Sequence, residues 1–308
     1  MDISVVVPVY GCPEALPELY QRLTDTLSAL VDSYEIILVD DRCPKNSWQG
    51  IRALAEKDSH VVGIHLARNT GQSRAITCGL DNARGNWAVV MDCDCQDPPE
   101  AIPDLYAKAL SDHKDIVFAR RVGRKDSRIT LALSHAYYRL YSHLADAEVD
   151  PSIGNFSIAS RRAYQAYLSM REQARDYSLF MSWLGFDQGA IDIEPEERFA
   201  GESSYTFGKK ISLAIETITS HSKKPLTLAV KLGFAMAVVS FIMLVVLVIH
   251  HLLDTDVPVG WASMIASVFF VGGMTIAVVG MVGIYVGNTF IEARERPLYQ
   301  IQDKINGE

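Results

Sequence analysis

Residues 89–100 read VVMDCDCQDPPE, an apolar run that ends in two aspartates one residue apart. If the run continues as a strand, Asp92 and Asp94 project to the same side, so both carboxylates can reach one ligand. Cys93 and Cys95 then project to the opposite, packed side. Two adjacent carboxylates repel each other unless a cation or hydrogen-bond donors neutralise them. The pattern predicts a ligand site at the end of this strand.

The carboxylates favour a hard cation. Oxygen ligands with open coordination positions suit Mg²⁺ or Mn²⁺, which are usually shared with substrate phosphates. The alternative, a zinc or redox role for Cys93 and Cys95, is less favoured, because small cysteines commonly fill core space. The five cysteines show no zinc-finger spacing, and no signal peptide is visible. A reduced, cytosolic setting is therefore expected.

The sequence around this stretch alternates strand-like and helix-like segments. Helical spacing of apolar residues occurs at 13–31 and 73–84, and short apolar runs occur at 3–10, 34–41, 60–67 and 86–94. Such alternation predicts an α/β fold with a mostly parallel, Rossmann-like sheet. Ligands bind such sheets at the carboxyl ends of the strands. The polar residues predicted at those ends are Tyr10, Asp40, Asp41, Asp92 and Asp94.

The C-terminal third is different in composition. Residues 232–249 and 261–290 carry no charged side chain, and a membrane-spanning helix needs roughly 20 apolar residues. We therefore predict two transmembrane helices, at about 230–252 and 261–290, over the alternative of buried helices in a soluble core. Lysines precede the first run, arginines follow the second, and the connecting loop has neither, so the positive-inside rule places both termini in the cytosol.

The predicted organisation has four parts: a cytosolic domain (1–202), a juxtamembrane amphipathic segment (203–226), a transmembrane hairpin (227–291) and a cytosolic tail (292–308). The net charge of −8 argues against a broad surface for nucleic acid. The expected location is the inner (cytoplasmic) membrane, as a multi-pass protein.

Several motifs, taken in order, resemble the family 2 glycosyltransferases of the branch that uses polyprenyl phosphate acceptors. VVMDCDCQDPPE is similar to the MDADLQDPPE signature of that family, and agreement extends to VVVPVY, YEIILVDD, NTGQSRAITCGL, RRVGRKDS and ERFAGESSY. The two apolar runs complete the pattern. The resemblance covers nearly the whole chain and is closest to the dolichol-phosphate mannose synthase and bactoprenol glucosyltransferase group.

The resemblance implies a GT-A fold, a nucleotide sugar donor and a divalent cation, Mg²⁺ or Mn²⁺. It implies that Asp94, with Gln96, holds the cation on the diphosphate, and that Asp94 and Arg198 are catalytic. The residues that would line the nucleotide are Pro8, Tyr10, Asp40, Asp41 and Asp92. Each also has an ordinary structural explanation: Pro8 and Tyr10 can end a strand, and Asp40 and Asp41 can cap a helix.

A phosphomonoester acceptor is largely dianionic at neutral pH, so it needs positive charge to position it more than it needs a base. Transfer by direct displacement would invert the anomeric configuration. The candidates for binding the acceptor phosphate are Arg121, Arg124, Arg198, Ser203 and Lys209. For the basic stretch 120–125, a solvated loop or contact with anionic lipid head groups is the alternative.

The sequence departs from the family pattern in three places. Gly11 and Cys12 replace Asn-Glu, DDRCPKNS replaces Asp-Asp-Gly-Ser, and Asn155 stands where many relatives have aspartate. Together they suggest an unusual donor sugar, with UDP the expected nucleotide from family frequency. Their effect on nucleotide contacts is left open.

Three other functions compete: a non-catalytic relative that binds a partner such as a flippase in a glycan assembly complex, a processive polysaccharide synthase, and an anchored transferase that uses a soluble acceptor. The two aspartates one residue apart (the DxD stretch, Asp92 and Asp94) argue against a non-catalytic relative. The absence of a Gln-x-x-Arg-Trp segment argues against a processive synthase, and the basic juxtamembrane SYTFGKK argues against a soluble acceptor. Glycines in the second apolar run are compatible with homo-oligomers or with packing inside the hairpin.

Overall fold

The computed structural model describes residues 1–122, 152–196, 222, 224–253 and 260–307. The described residues divide into two compact units. The first contains 1–122, 152–196 and 296–307, and the second contains 222, 224–253 and 260–295.

An eight-stranded sheet organises the first unit, with strand order β7-β5-β6-β4-β1-β2-β3-β8. The central strands β4, β1, β2 and β3 are mutually parallel, β5 pairs parallel with β7, and the other pairings are antiparallel. The predicted mostly parallel sheet is confirmed. The strands are β1 (Ile3–Val9), β2 (Tyr34–Asp40), β3 (Val61–Leu66), β4 (Trp87–Val90), β5 (Ile116–Arg121), β6 (Ile153–Ser160), β7 (Gln188–Ile193) and β8 (Ile301–Ile305).

Helices cover both faces of the sheet, which is why the central strands read as continuous apolar runs. Along β1, Val5 and Val7 pack into one hydrophobic cluster while Val6 packs into the other. The helices of this unit are α1 (Leu16–Leu30), α2 (Ser47–Lys57), α3 (Gln72–Asp81), α4 (Ile102–Ser111), α5 (Arg161–Ser169) and α6 (Tyr177–Trp183).

The strand before the two aspartates is shorter than predicted. β4 ends at Val90, and after a last ladder bond from Met91 N to the Val6 carbonyl (3.2 Å) the chain turns. Cys95 has a φ of 58°, a left-handed conformation that no extended strand contains. A short 3₁₀ turn, Pro99–Ala101, then leads into α4.

The C-terminal end of the chain adds an edge strand that the sequence did not predict. β8 pairs antiparallel with β3, and Leu298 just before it is buried. The Asn306 side chain donates hydrogen bonds to the carbonyls of Ala55 and Val61. The segment expected as a tail is therefore partly built into the sheet of the first unit.

The second unit contains two long apolar helices, α7 (Lys224–Leu253) and α8 (Trp261–Ala293). Within them, 224–243 and 267–293 are long and apolar enough to span a membrane, and almost none of their residues is buried. The Tyr285 hydroxyl donates a hydrogen bond to the Ser222 carbonyl (2.6 Å). These helices are candidate membrane spans; the predicted four-part division of the chain stays a prediction.

Candidate functional site

The carboxyl ends of β1, β2 and β4 meet at one edge of the sheet. Val9 lies beside Asp40, and Val6 lies beside Val90. Tyr10 follows β1 and is 48% exposed, whereas Pro8 is buried within the strand. The polar residues that the sequence placed at strand ends are therefore close to this edge, as parallel strands require.

Asp40 and Asp41 are almost fully buried and fully engaged in hydrogen bonds. Asp40 Oδ2 lies 2.6 Å from His65 Nδ1, and its Oδ1 accepts from the Cys43 backbone N–H. Neither residue caps α2, whose N-cap is Asn46.

Asp41 holds the loop that begins α3. Its Oδ1 accepts from Thr70 N (2.7 Å) and Oγ1, and its Oδ2 accepts from Gly71 N (2.9 Å). Burial raises the pKa of Asp41, while the hydrogen bonds from Thr70 and Gly71 oppose that rise. Gly71 has a φ of 92°, a conformation that suits glycine. The Asn-Thr-Gly-Gln motif is thus fixed from the end of β2.

The motif in turn reaches the first aspartate of the DxD stretch. Gln72 is the first residue of α3, and its Nε2 donates to Asp92 Oδ1 (2.7 Å). Asn155 Nδ2 donates to the same oxygen at 3.4 Å. Asn155 therefore places a neutral hydrogen-bond donor beside Asp92.

Arg121 joins Asp92 to a buried aspartate. Its Nε and Nη2 donate to the two oxygens of Asp97 (2.9 and 2.7 Å), and Nη2 lies 3.7 Å from Asp92 Oδ2. The Asp97 side chain has no exposed surface. Burial and the charge of Asp97, partly offset by Arg121, raise the pKa of Asp92 to about 6. The structure thus gives Arg121 an ion pair with Asp97; its predicted contact with an acceptor phosphate stays a prediction.

Asp94 and Gln96 lie half-buried in the turn after β4. The Gln96 backbone N–H donates to Asp94 Oδ1 (3.2 Å), and the Gln96 carbonyl accepts from Glu196 N (2.9 Å). Arg22 bridges the carboxylates of Glu100 and Glu196. Glu196, two residues before Arg198 in sequence, is therefore anchored to the DxD turn.

The oxygen donors of this turn fit a magnesium-type ion. Asp94 supplies a carboxylate and Gln96 an amide oxygen, while Asp92 adds a second carboxylate at the same edge. Magnesium and manganese use few protein ligands and complete their coordination with water and substrate phosphates. Among the described residues, no group of three or more His, Cys, Asp or Glu is arranged to hold a metal by itself.

The cysteines do face the core, but two of them are bonded. Cys93 and Cys95 are buried in the same hydrophobic cluster as Cys12, and Cys12 forms a disulfide with Cys93. The expectation of fully reduced cysteines is wrong for this pair. The bond is made because the turn after β1 and the turn after β4 converge at one edge, a proximity that sequence spacing does not reveal.

Four predicted site residues, Arg124, Arg198, Ser203 and Lys209, lie outside the described residues. Sequence reasoning assigned no role to His65, Asp97 or Gln72, although Gln72 and Asp97 stand inside quoted motifs. For Gln72 and Asp97, this position inside a motif is the signal that would have identified them.

Comparison with known proteins identifies the family. Residues 4–168 match the family model described as Glycosyl transferase family 2. The chain is 33% identical over 303 residues to an uncharacterized glycosyltransferase, YkcC, of Bacillus subtilis (strain 168), covering 98% of this chain and 94% of the relative. It is 31% identical over 305 residues to a bactoprenol glucosyl transferase of Shigella phage SfV, covering 99% of each chain.

A solved structure agrees on the fold. Mannosyl-3-phosphoglycerate synthase from Rubrobacter xylanophilus superposes with a TM-score of 0.51 at 13% identity, over 71% of this chain and 72% of that one. The expected GT-A fold is thereby confirmed. The protein belongs to glycosyl transferase family 2 and is a glycosyltransferase.

Proposed function

We propose that this glycosyltransferase moves a sugar from a nucleotide sugar to polyprenyl phosphate at the cytosolic face of the inner membrane. The observation that carries the proposal is the match to a relative named bactoprenol glucosyl transferase over 99% of both chains. That match extends through the two candidate membrane spans, so it is not confined to the sheet domain.

The donor would bind at the carboxyl edge of the sheet. Tyr10 is exposed there, and Asp41, at the end of the neighbouring strand, holds the loop of Thr70 and Gly71 by hydrogen bonds. We infer that the nucleotide, expected to be UDP, is lined by Pro8, Tyr10, Asp40, Asp41 and Asp92. Asp94 and Gln96 would hold a divalent cation, Mg²⁺ or Mn²⁺, which neutralises charge on the leaving diphosphate.

The acceptor needs no strong base. An oxygen of the lipid phosphate attacks the anomeric carbon, the bond from that carbon to the nucleoside diphosphate breaks, and its electron pair leaves with the diphosphate. A single displacement inverts the configuration, so an α-linked donor gives a β-linked lipid phosphate. The residues proposed to position the acceptor phosphate are Arg121, Arg124, Arg198, Ser203 and Lys209. The proposed catalytic residues are Asp94 and Arg198.

The chain path supports a hairpin. β8 follows α8 and pairs with β3 in the sheet formed by the strands before α7. Two segments of one sheet lie on the same side of a membrane, so the chain between them crosses an even number of times. Lys224 and Lys231 lie near the start of α7, and Arg294 and Arg296 follow α8, so the positive-inside rule makes that side the cytosol.

The experiment is a donor panel. Purified protein in detergent is incubated with Mg²⁺ or Mn²⁺, undecaprenyl phosphate and a set of nucleotide sugars, and mass spectrometry detects any lipid-linked monosaccharide. A product from one donor, absent with Asp94→Asn, supports the proposal. Normal folding without nucleotide binding contradicts it and favours a non-catalytic partner role.

A further inference from the structure

A chain of hydrogen bonds connects the C-terminal strand to the nucleotide edge. Asp40 Oδ2 lies 2.6 Å from His65 Nδ1, and His65 Nε2 lies 2.9 Å from Arg42 Nη1. The same Nη1 donates to Gln302 Oε1 at 2.6 Å. Gln302 belongs to β8, which is separated from Asp40 in sequence by the whole apolar hairpin.

Donor and acceptor chemistry fixes the direction of this chain. An arginine has no acceptor, so His65 Nε2 must carry the lone pair and Nδ1 must carry the hydrogen. The ring therefore donates through Nδ1 to Asp40 Oδ2. Trp48 stacks on the same ring, with centroids 5.0 Å apart and planes 21° apart. The orientation of the Asp40 carboxylate thus depends on a ring held on two sides.

Arg42 adopts a backbone conformation that costs energy. Its φ is 55°, in the left-handed region that disfavours side chains with a Cβ. The side chain is exposed, so its burial does not compensate the strain. The Arg42 guanidinium contacts both His65 and Gln302 from this strained backbone, and these contacts are the basis for assigning its side chain a role at the site.

We propose that Arg42 and Gln302 are positioning residues for the donor nucleotide, and that the C-terminal strand is thereby a functional part of the donor site. They act through His65 on Asp40 and fix the orientation in which its carboxylate binds the nucleoside part of the donor. This inference rests on the proposed function, since it assumes that Asp40 contacts the nucleotide.

The test measures equilibrium binding of UDP and of GDP, each with Mg²⁺, to the full-length protein in detergent, together with melting temperature. Arg42→Gly removes the side chain and relieves the strain of the left-handed backbone. The melting temperature should therefore not fall, whereas loss of the positioning contacts should weaken nucleotide binding. We expect an unchanged or higher melting temperature and affinity for the bound nucleotide about tenfold weaker, the loss expected for a hydrogen bond to a charged group.

Gln302 is tested with a matched pair. Gln302→Glu keeps an acceptor for Arg42 and should hold affinity within about twofold, whereas Gln302→Met keeps the length without a comparable acceptor and should weaken binding about fivefold. Gln300→Met is the control, because exposed Gln300 acts through its backbone carbonyl, which accepts from Ala67 N–H (2.9 Å). With a working donor, the same variants should raise KM for the donor more than they lower kcat.

The outcomes separate the two claims. Wild-type binding of a nucleotide with unchanged affinity in Arg42→Gly and Gln302→Met overturns the positioning role alone. Loss of affinity that follows loss of melting temperature in both variants also overturns it. Failure of the wild type to bind either nucleotide overturns the proposed function and the positioning role together.

Discussion

At the scale of single residues, the ion pair of Arg121 and Asp97 is the contact on which the site depends most. Asp97 is fully buried and Arg121 mostly so, and removing one member of a buried pair leaves an uncompensated charge. The pair also sets the position of the guanidinium beside Asp92. The first role of the Arg121–Asp97 pair is therefore structural, whether or not Arg121 also contacts a substrate.

Asp97→Asn should lower the stability of the protein by about 3 kcal/mol, or about 6–12 °C in melting temperature for a domain of this size. The control is Asp112→Asn, which removes an exposed i,i+4 pair with Lys108 and should leave the melting temperature unchanged within error. Thermal unfolding followed by circular dichroism makes the comparison. Equal shifts in both variants would contradict a structural role for the buried pair.

Asp92 gives a pH-dependent prediction for the metal-free protein. Its pKa is raised to about 6 from an ordinary value of 3.8, so the folded state binds its proton more tightly than the unfolded state. The free energy of unfolding therefore falls as pH rises from about 4 to about 6, and it stays at the lower value above pH 6. Asp92→Asn should stabilise the chelator-treated protein by about 1–3 kcal/mol at pH 8.

The same variant should have a much smaller effect near pH 3, which lies below both pKa values, because Asp92 is then mostly protonated in both states. Melting temperatures in excess chelator at the two pH values provide the measurement. A stabilisation that is equal at both pH values would show that the effect comes from packing instead of ionisation.

At the scale of secondary-structure elements, the disulfide links two turns that both border the candidate site. Cys12 follows β1 and Cys93 follows β4, 81 residues apart in sequence. Closing a loop of this length restricts the unfolded chain, which commonly contributes about 2–4 kcal/mol. The bond also ties the turn that holds Asp94 to the turn that follows β1, in which Tyr10 lies.

Reduction should lower the melting temperature of the wild type by several degrees, on the order expected from that 2–4 kcal/mol. Cys12→Ala should already show the lower value and should not respond to the reductant. Cys43, Cys78 and Cys95 are free and buried, so they serve as the internal background. A reductant effect of the same size in Cys12→Ala would refute the stabilising role of this bond.

The elements differ in how far the sequence predicts them. The first four strands follow from their apolar runs, because buried parallel strands are continuous apolar runs, and α1 and α3 follow from helical spacing of apolar residues. The end of β4 does not, since the alternation of burial continues through Cys93 and Cys95 although the backbone has left the sheet. β6 and β7 are partly exposed, which weakens their pattern. β8 pairs with residues more than 200 positions away, and no local signal reports that pairing.

The candidate site shows the same limit. Carboxylate chemistry and motif order identify Asp92 and Asp94, but hydrogen-bond partners such as Gln72, His65 and Gln302 come from distant segments. Their contacts depend on sheet order, which one sequence does not reveal. The sequence therefore predicts the charged groups of the candidate site, whereas the groups that orient them are evident only from the structure.

At the scale of the whole molecule, the two apolar helices and the returning strand make a topological prediction. Both ends of the hairpin should be cytosolic and the loop near 254–259 external. A protease site inserted in that loop should be cut in right-side-out vesicles, and one appended after Gly307 should be cut in inverted vesicles. Cleavage of both sites from the same side would contradict a membrane-spanning hairpin.

The most direct test of the central claim is the choice of acceptor. With the donor that the panel identifies, the purified protein is given undecaprenyl phosphate, undecaprenol without phosphate, or a water-soluble phosphomonoester, and the glycosylated product is quantified by mass spectrometry. The account predicts transfer to undecaprenyl phosphate alone, dependent on a divalent cation and abolished by Asp94→Asn. Efficient transfer to the soluble phosphomonoester in the absence of lipid would contradict it.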